Sequence, residues 1–270
     1  MRSSPRLIIA LVIVAFSLIS YYSRSTTNPV TGEKQHVGDI RPEQEIVLGL
    51  QAAPQMAAEY GGESQDSQAR ALVEQVGQRV LQKSSAGKSP YQYTFHALAD
   101  PKTINAFALP GGQVFITMGL LRKLRTEGEL AGVLGHEVGH VVARHGAEQM
   151  AKQQLAQGLS GAAVLASVDP NNPNSMRSAQ MIQLVTGLIQ MKFGRNDELE
   201  ADHLGVKFMS EAGYDPRAML GVMEVLKSAA GGGRQPEFFS THPNPENRSG
   251  KIQAAIKELY PSGVPSGMTE

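Results

Sequence analysis

The chain has 270 residues and balances 25 Lys and Arg against 25 Asp and Glu, so it offers no overall attraction to a polyanion and is not expected to bind nucleic acid. It has no cysteine, which rules out thiol nucleophiles, thiolate metal sites, disulfides and a lipid-bearing cysteine, and leaves His, Asp and Glu to hold any metal. With 41% hydrophobic residues, a chain of this length carries material for one core-bearing domain.

Arg2 and Arg6 precede an apolar run from Leu7 to Tyr22, and Arg24 with a Ser/Thr stretch restores polarity. A positive start followed by a short apolar segment reads as an export signal. The run is shorter than the roughly 20 residues that span a bilayer squarely, and no small-x-small cleavage site follows it. Residues 1–24 are therefore either a signal peptide or a retained N-terminal membrane anchor, and the body of the protein is expected outside the cytoplasm. Residues 25–40, with Asn28-Pro29 and Thr31-Gly32 as turn signals, read as a linker. The folded domain is expected over 41–260, with a disordered tail over 261–270.

Helical patterns follow at Pro42–Tyr60, interrupted by Pro54, and at Ser67–Ser84, where Leu72, Val73, Val76, Val80 and Leu81 form one apolar face. Tyr91–Leu98 alternates, and Asn105–Leu109 and Gln113–Thr117 flank Pro110-Gly111-Gly112, which predicts a small antiparallel or mixed sheet. Thr126, with Glu129 three residues on, opens a helix expected to reach roughly Gln157. Residues 158–190 read as two helical segments joined by a loop at Asp169–Pro173. Further helices are expected at Asn196–Ala212, from Asp215-Pro216 to Gly231, and from beyond Pro243 and Pro245 to Tyr260.

The chemistry concentrates at His136-Glu137-Val138-Gly139-His140. Residues four apart share a helical face, so both imidazoles can point at one ion while Glu137, about 100° round, reaches a water on it. Gly128, Gly132, Gly135 and Gly139 stripe the same helix, each costing about 1 kcal/mol of propensity relative to Ala, which implies that another element approaches closely. A catalytic zinc takes three protein ligands and keeps a position open. Candidates for the third cluster at Asp197, Glu198, Glu200, Asp202 and His203. Glu198 and Asp202 lie at i, i+4 on one face, so Glu198 can ligate while Asp202 accepts the other N–H of a ligand histidine. Glu200 is either an exposed helix charge or the return arm of a capping box begun by Asp197. His36, His96, His145 and His203 have no spacing that demands metal and read as structural or exposed. Other chemistries fail: Gly87-Lys88-Ser89 has Gln82 where a phosphate loop needs glycine, and no Gly-x-Ser-x-Gly elbow occurs.

These residues resemble the gluzincin metallopeptidases of family 48, which include HtpX-like membrane proteases, CaaX-prenyl proteases and exported bacterial quality-control proteases. The resemblance covers Asn105-Ala106-Phe107-Ala108-Leu109-Pro110-Gly111-Gly112, the His136 motif with Val141-Val142-Ala143-Arg144-His145, Glu198-Leu199-Glu200-Ala201-Asp202, Thr241-His242-Pro243 and Arg248, and reaches back to Asn28-Pro29-Val30-Thr31-Gly32. It implies an α+β, mainly helical fold with a thermolysin-like zincin core and a small sheet beside the active-site helix. It also implies one Zn²⁺ per chain on His136, His140 and Glu198, with Glu137 as general base. Gly112, Gln113, Val114 and Phe115 would start the edge strand that pairs with an extended polypeptide substrate. His242 would either stabilise the oxyanion or occupy the open zinc position, and Arg248 would orient a loop or bind the oxyanion. The implied protein is an exported zinc endopeptidase acting on unfolded or misassembled envelope proteins, in the bacterial periplasm or tethered to the membrane facing it. A zinc-binding chaperone or assembly factor with latent proteolysis is the second reading.

Overall fold

The computed structural model describes residues 5–165, 192–231, 236–243 and 247–270. The elements run α1 (Pro5–Ser23), β1 (Thr26–Thr27), β2 (Lys34–Gln35), α2 (Pro42–Glu59), α3 (Ser67–Lys83), β3 (Thr94–Leu98), β4 (Ala106–Leu109), β5 (Gln113–Thr117), α4 (Met118–Leu121), α5 (Glu127–Val142) and α6 (His145–Leu165), then α7 (Arg195–Glu211), α8 (Ala218–Ala230), α9 (Phe238–Thr241) and α10 (Arg248–Leu259). The fold is mainly helical with small sheets, as the α+β expectation has it. The helical segments expected beyond Leu165 and the loop Asp169–Pro173 lie outside the described residues.

Helix α1 packs along α6, and no helix among the described residues is long and apolar enough to cross a membrane. Residues 25–40 are not a free linker. The β1–β2 hairpin seats Asn28 against the end of α5, where its Nδ2 donates to the Val142 carbonyl at 2.7 Å and its Oδ1 accepts from Val30 N–H at 2.8 Å. The Gln35 amide donates to the Ala143 carbonyl. These side chains satisfy carbonyls that a helix C-terminus leaves without intrahelical donors, which is why a polar, turn-rich segment is ordered here.

The larger sheet has the order β3-β5-β4, with β3 parallel and β4 antiparallel to β5. It is mixed, because only β4 and β5 are joined by a tight hairpin. That hairpin turns at Gly111 and Gly112, both at positive φ. A Cβ on Gly112 would stand 2.8 Å from the Gln92 carbonyl oxygen, so the turn closes against the strand approach only with glycine. The consequence corrects the substrate-strand assignment. Gln113, Val114 and Phe115 lie in the central strand, bonded on both sides and fully covered, and Gly112 leads into it, so none of them has a free backbone edge to offer. On this side of the sheet the edge strand among the described residues is β4.

Val73, Val76 and Val80 of α3 join Phe95 of β3 and Leu134 and Val138 of α5 in one core. Within that core every residue from Gly128 to Val142 is buried. The glycine stripe meets two helices, Gly128 and Gly132 facing Ala218 and Met219 of α8 and Gly135 and Gly139 facing α7, where a Cβ on Gly139 would lie 3.0 Å from the Ala201 carbonyl oxygen and 3.3 Å from its Cα. Two helices this close bring their functional side chains into mutual reach.

The helix expected to run to Gln157 breaks instead after Val142. Arg144 takes φ of 57°, a left-handed conformation that costs a non-glycine residue about 1–2 kcal/mol. Its guanidinium holds the break by pairing with the buried Glu45 carboxylate at 2.6 Å and donating to the Ile40 carbonyl at 2.6 Å. Glu45 also accepts from the Tyr91 hydroxyl at 3.0 Å. The tail is not disordered either. Thr269 N–H donates to Gly213 O at 2.9 Å, Asp215 N–H donates to Thr269 O at 2.8 Å, and Arg79 reaches the Thr269 hydroxyl at 3.1 Å. A polar segment ordered through backbone pairing leaves no hydrophobic period to read.

Candidate metal centre

Helix α5 presents His136 and His140 one turn apart, α7 presents Glu198, and the residue that ends α9 is His242. One ligand atom from each of the four lies within 4.8 Å of the others. His136 Nε2 is 3.1 Å from His140 Nε2 and 3.4 Å from His242 Nδ1. Glu198 Oε1 is 3.4 Å from His140 Nε2 and 3.0 Å from His242 Nδ1, and its Oε2 is 3.6 Å from His136 Nε2. A tetrahedron of ligands about 2.0–2.1 Å from zinc has edges of about 3.3–3.4 Å. Lone pairs converging at these separations repel unless a cation sits among them, and an imidazole and carboxylate donor set without sulfur is one that zinc accepts. The residues fit the metal.

All four side chains are buried, which fixes their electrostatics. Burial holds the His140 imidazole well below its usual pKa, against the opposing pull of Glu198, which favours the uncharged ring with a lone pair to offer. Burial alone would raise Glu198, but the facing His242 and the hydrogen bonds from His140 and His242 hold it far below the usual carboxylate range. Burial works against charge on His242, yet Glu137 and Glu198 together raise its pKa. Glu137 is fully buried, both of its carboxylate oxygens lack a hydrogen-bond partner, and burial raises its pKa. Its nearest charged neighbour among the described ion pairs is His242 Nε2, at 3.6 Å.

Each α5 histidine is also met from behind. His136 Nδ1 lies 3.0 Å from Asp202 Oδ1. Asp202 in turn takes two charge-assisted hydrogen bonds from Arg248, Nε to Oδ2 at 2.7 Å and Nη2 to Oδ1 at 2.8 Å. Burial would raise the Asp202 carboxyl, but Arg248 and His136 hold it low. Arg248 Nη2 also lies 3.3 Å from Glu198 Oε2, which places this residue behind the ligand cluster. His140 Nδ1 lies 2.9 Å from His145 Nδ1, and His145 Nε2 lies 3.3 Å from Glu200 Oε2. Phe193 stacks on the His140 ring with centroids 4.0 Å apart. Glu200 is thus neither a free surface charge nor a capping arm, since Asp197 accepts the Gly194 N–H that opens α7 at 2.8 Å. His145 is the residue that reading by spacing passes over. In an unbroken helix it would sit about 140° round from His140, and only the turn at Arg144 swings it back.

Beside the cluster, an open cleft is lined by Phe107, Ala108 and Leu109 of β4 with Tyr60, Phe193 and His242. Residues of β4 and His242 of the cluster therefore line one opening.

The family model for peptidase family M48 matches residues 67–256. The chain belongs to peptidase family M48. It is 31% identical over 249 residues to the mitochondrial metalloendopeptidase OMA1 of Schizosaccharomyces pombe, covering 91% of this chain and 71% of that one. It is also 31% identical over 200 residues to the beta-barrel assembly-enhancing protease of Escherichia coli, covering 72% of this chain and 40% of that one. The chain spans about two fifths of the length of that bacterial relative. As an M48 protein with metalloendopeptidase relatives it is a zinc metalloendopeptidase, and the cluster of His136, His140, Glu198 and His242 lies where such a site belongs. The placement in a bacterial periplasm does not stand, because the relative matched over 91% of the chain is named for the mitochondrion.

Proposed function

We propose that this M48 protein binds one zinc through His136, His140 and Glu198 and cleaves extended segments of unfolded or misassembled polypeptides, with Glu137 as the general base. The observation that carries the reading is Glu137 itself: a fully buried carboxylate, without a hydrogen-bond partner, beside a convergent ligand cluster. A buried acid with a raised pKa is suited to holding a proton between two steps. Zinc, when bound, supplies Lewis acidity to the scissile carbonyl and lowers the pKa of water from 15.7 toward about 7. Glu137 takes the proton from the attacking water and delivers it to the leaving amine, and the water-excluding walls of the site keep that proton in place. Ala106–Leu109 offer a free strand edge to the substrate backbone, and the cleft beside them takes its side chains. The position of His242 Nδ1 beside Glu198 supports a ligand role for it over an oxyanion role, so an incoming substrate displaces it.

The name of the beta-barrel assembly-enhancing proteases suggests misassembled β-barrel proteins as one client class. Ile9, Leu11, Val12, Phe16 and Ile19 expose an apolar face on α1, and this supports attachment of that helix to a bilayer surface, which flotation of the purified chain with and without residues 1–24 on lipid vesicles tests.

The central experiment is casein digestion by the purified chain with zinc, with and without a chelator. Glu137→Gln is expected to keep its zinc and lose about 10²–10⁴-fold in rate, and Glu198→Ala is expected to lose the zinc. Undiminished cleavage by Glu137→Gln overturns the assignment of the base. Retention of zinc by Glu198→Ala overturns the ligand set.

A further inference from the structure

The His140 ring can meet a cation only through Nε2, because its Nδ1 faces His145 at 2.9 Å. A neutral imidazole that offers the Nε2 lone pair carries its proton on Nδ1. That proton needs an acceptor in a buried site, and the atom in front of it is Nδ1 of His145. His145 must then keep its own proton on Nε2, which points at Glu200 Oε2 at 3.3 Å. In this arrangement each ring proton has one place to go, and the order is fixed by the contacts from His140 to Glu200. The rings meet edge to face, with centroids 4.9 Å apart.

We infer that His145 is a positioning residue for metal binding, which holds the tautomer and the ring plane of His140 through Nδ1 while Glu200 holds those of His145. The inference rests on the reading of His140 as a ligand. The backbone supports it independently of that reading. His145 reaches His140 only because Arg144 adopts φ of 57°, and Arg144 is held there by buried Glu45 and the Ile40 carbonyl. A conformation that costs free energy and is clamped by a buried ion pair delivers one imidazole to the back of another.

The test is zinc affinity of the full chain, measured after stripping by competition with a chromogenic chelator. His145→Leu removes the acceptor at similar bulk and is expected to weaken zinc binding about 10–100-fold. His145→Asn places an amide oxygen close to the Nδ1 position and is expected to recover most of that loss. A role in packing alone would lower the stability of the stripped protein in both variants without separating their zinc affinities, and that result overturns the inference. Glu198→Ala is measured alongside: unchanged zinc binding there defeats the ligand set, whereas loss there with full binding by His145→Leu defeats only the role of His145. Should the His145 variants not fold, nitrogen NMR of the zinc-loaded wild type reads the tautomers directly. Protons on His140 Nδ1 and His145 Nε2 are expected, and the opposite tautomer of His145 overturns the inference.

Discussion

The two imidazoles that α5 turns toward the metal centre are held from behind by unlike means. His136 leans on an ion pair: Asp202 from α7, gripped by Arg248 from the start of α10, with all three side chains nearly inaccessible to water. His140 leans on a second imidazole, and that contact ends at Glu200, whose side chain is 34% exposed. The first support is charged and sealed, and it is assembled from residues far apart in the chain. The second begins with an uncharged contact between two imidazoles five residues apart, across the break between α5 and α6, and reaches the surface at a carboxylate on α7. A sealed ion pair holds its shape strongly, but removal of either partner strands the other charge in low dielectric. A neutral contact brings no such penalty and depends on geometry alone.

The largest expected effect follows from that difference. Arg248→Leu leaves the Asp202 carboxylate buried with only a histidine N–H facing it, and breaking a buried pair in this way costs about 3–5 kcal/mol. Denaturant unfolding of the metal-free protein reads this directly. Arg248→Lys restores the charge but not the two-pronged contact, so it is expected to recover only part of the loss. If Arg248→Leu unfolds at the same denaturant concentration as the wild type, the support of His136 is not ionic and the contrast with His140 disappears.

The same contrast explains what the sequence makes legible. The pairing of His136 with His140, and of Glu198 with Asp202, is a matter of helical period, so residues four apart announce a shared face. The close packing of α5 on α7 is announced by Gly135 and Gly139, whose cost in helix propensity demands a partner. Nothing periodic announces His145, because its approach depends on one residue, Arg144, leaving the helical region under the hold of Glu45, which lies about a hundred positions earlier. The strand order is hidden for a related reason. The turn at Pro110-Gly111-Gly112 marks Gln113–Thr117 as a strand, but the side of the sheet on which Thr94–Leu98 pairs is decided by a contact distant in sequence, so the edge strand implied by the resemblance, Gly112–Thr117, is the central one. The ordered segments at 25–40 and 261–270 are held by backbone and amide hydrogen bonds, which leave no hydrophobic signature.

A smaller effect separates the two supports by their reliance on the α5–α7 spacing. Gly139→Ala puts a methyl 3.0 Å from the Ala201 carbonyl oxygen, and since the obstacle is backbone the helices must part by a few tenths of an ångström. Overpacking of this kind costs about 1–3 kcal/mol. The displaced helix carries Glu198 and Asp202, so zinc affinity is expected to fall with stability, measured by chelator competition and denaturant unfolding on the same sample. The His140–His145 contact lies between α5 and α6, outside this interface, and only its far end at Glu200 moves with α7, so nitrogen NMR is expected to show a smaller change at His140 Nδ1 than at His136 Nδ1. Movement of that signal as large as the change at His136 would mean that the two supports are one mechanical unit.

The smallest effect is expected at the exposed end of the neutral support. Glu200→Gln keeps an oxygen that can accept from His145 Nε2, removes a charge already partly screened by water, and is expected to change stability by under about 0.5 kcal/mol. Asp202→Asn makes the corresponding change on the other side, since an amide oxygen still faces His136 Nδ1. There, however, the loss of charge leaves buried Arg248 with Glu198 as its one remaining close carboxylate partner among the described ion pairs, and a cost several times larger is expected. Denaturant unfolding of the two single variants, each differing from the wild type by one oxygen exchanged for an amide nitrogen, isolates charge from shape. Equal losses would show that neither support depends on its charge, and the sealed pair would then act through geometry in the same way as the imidazole behind His140.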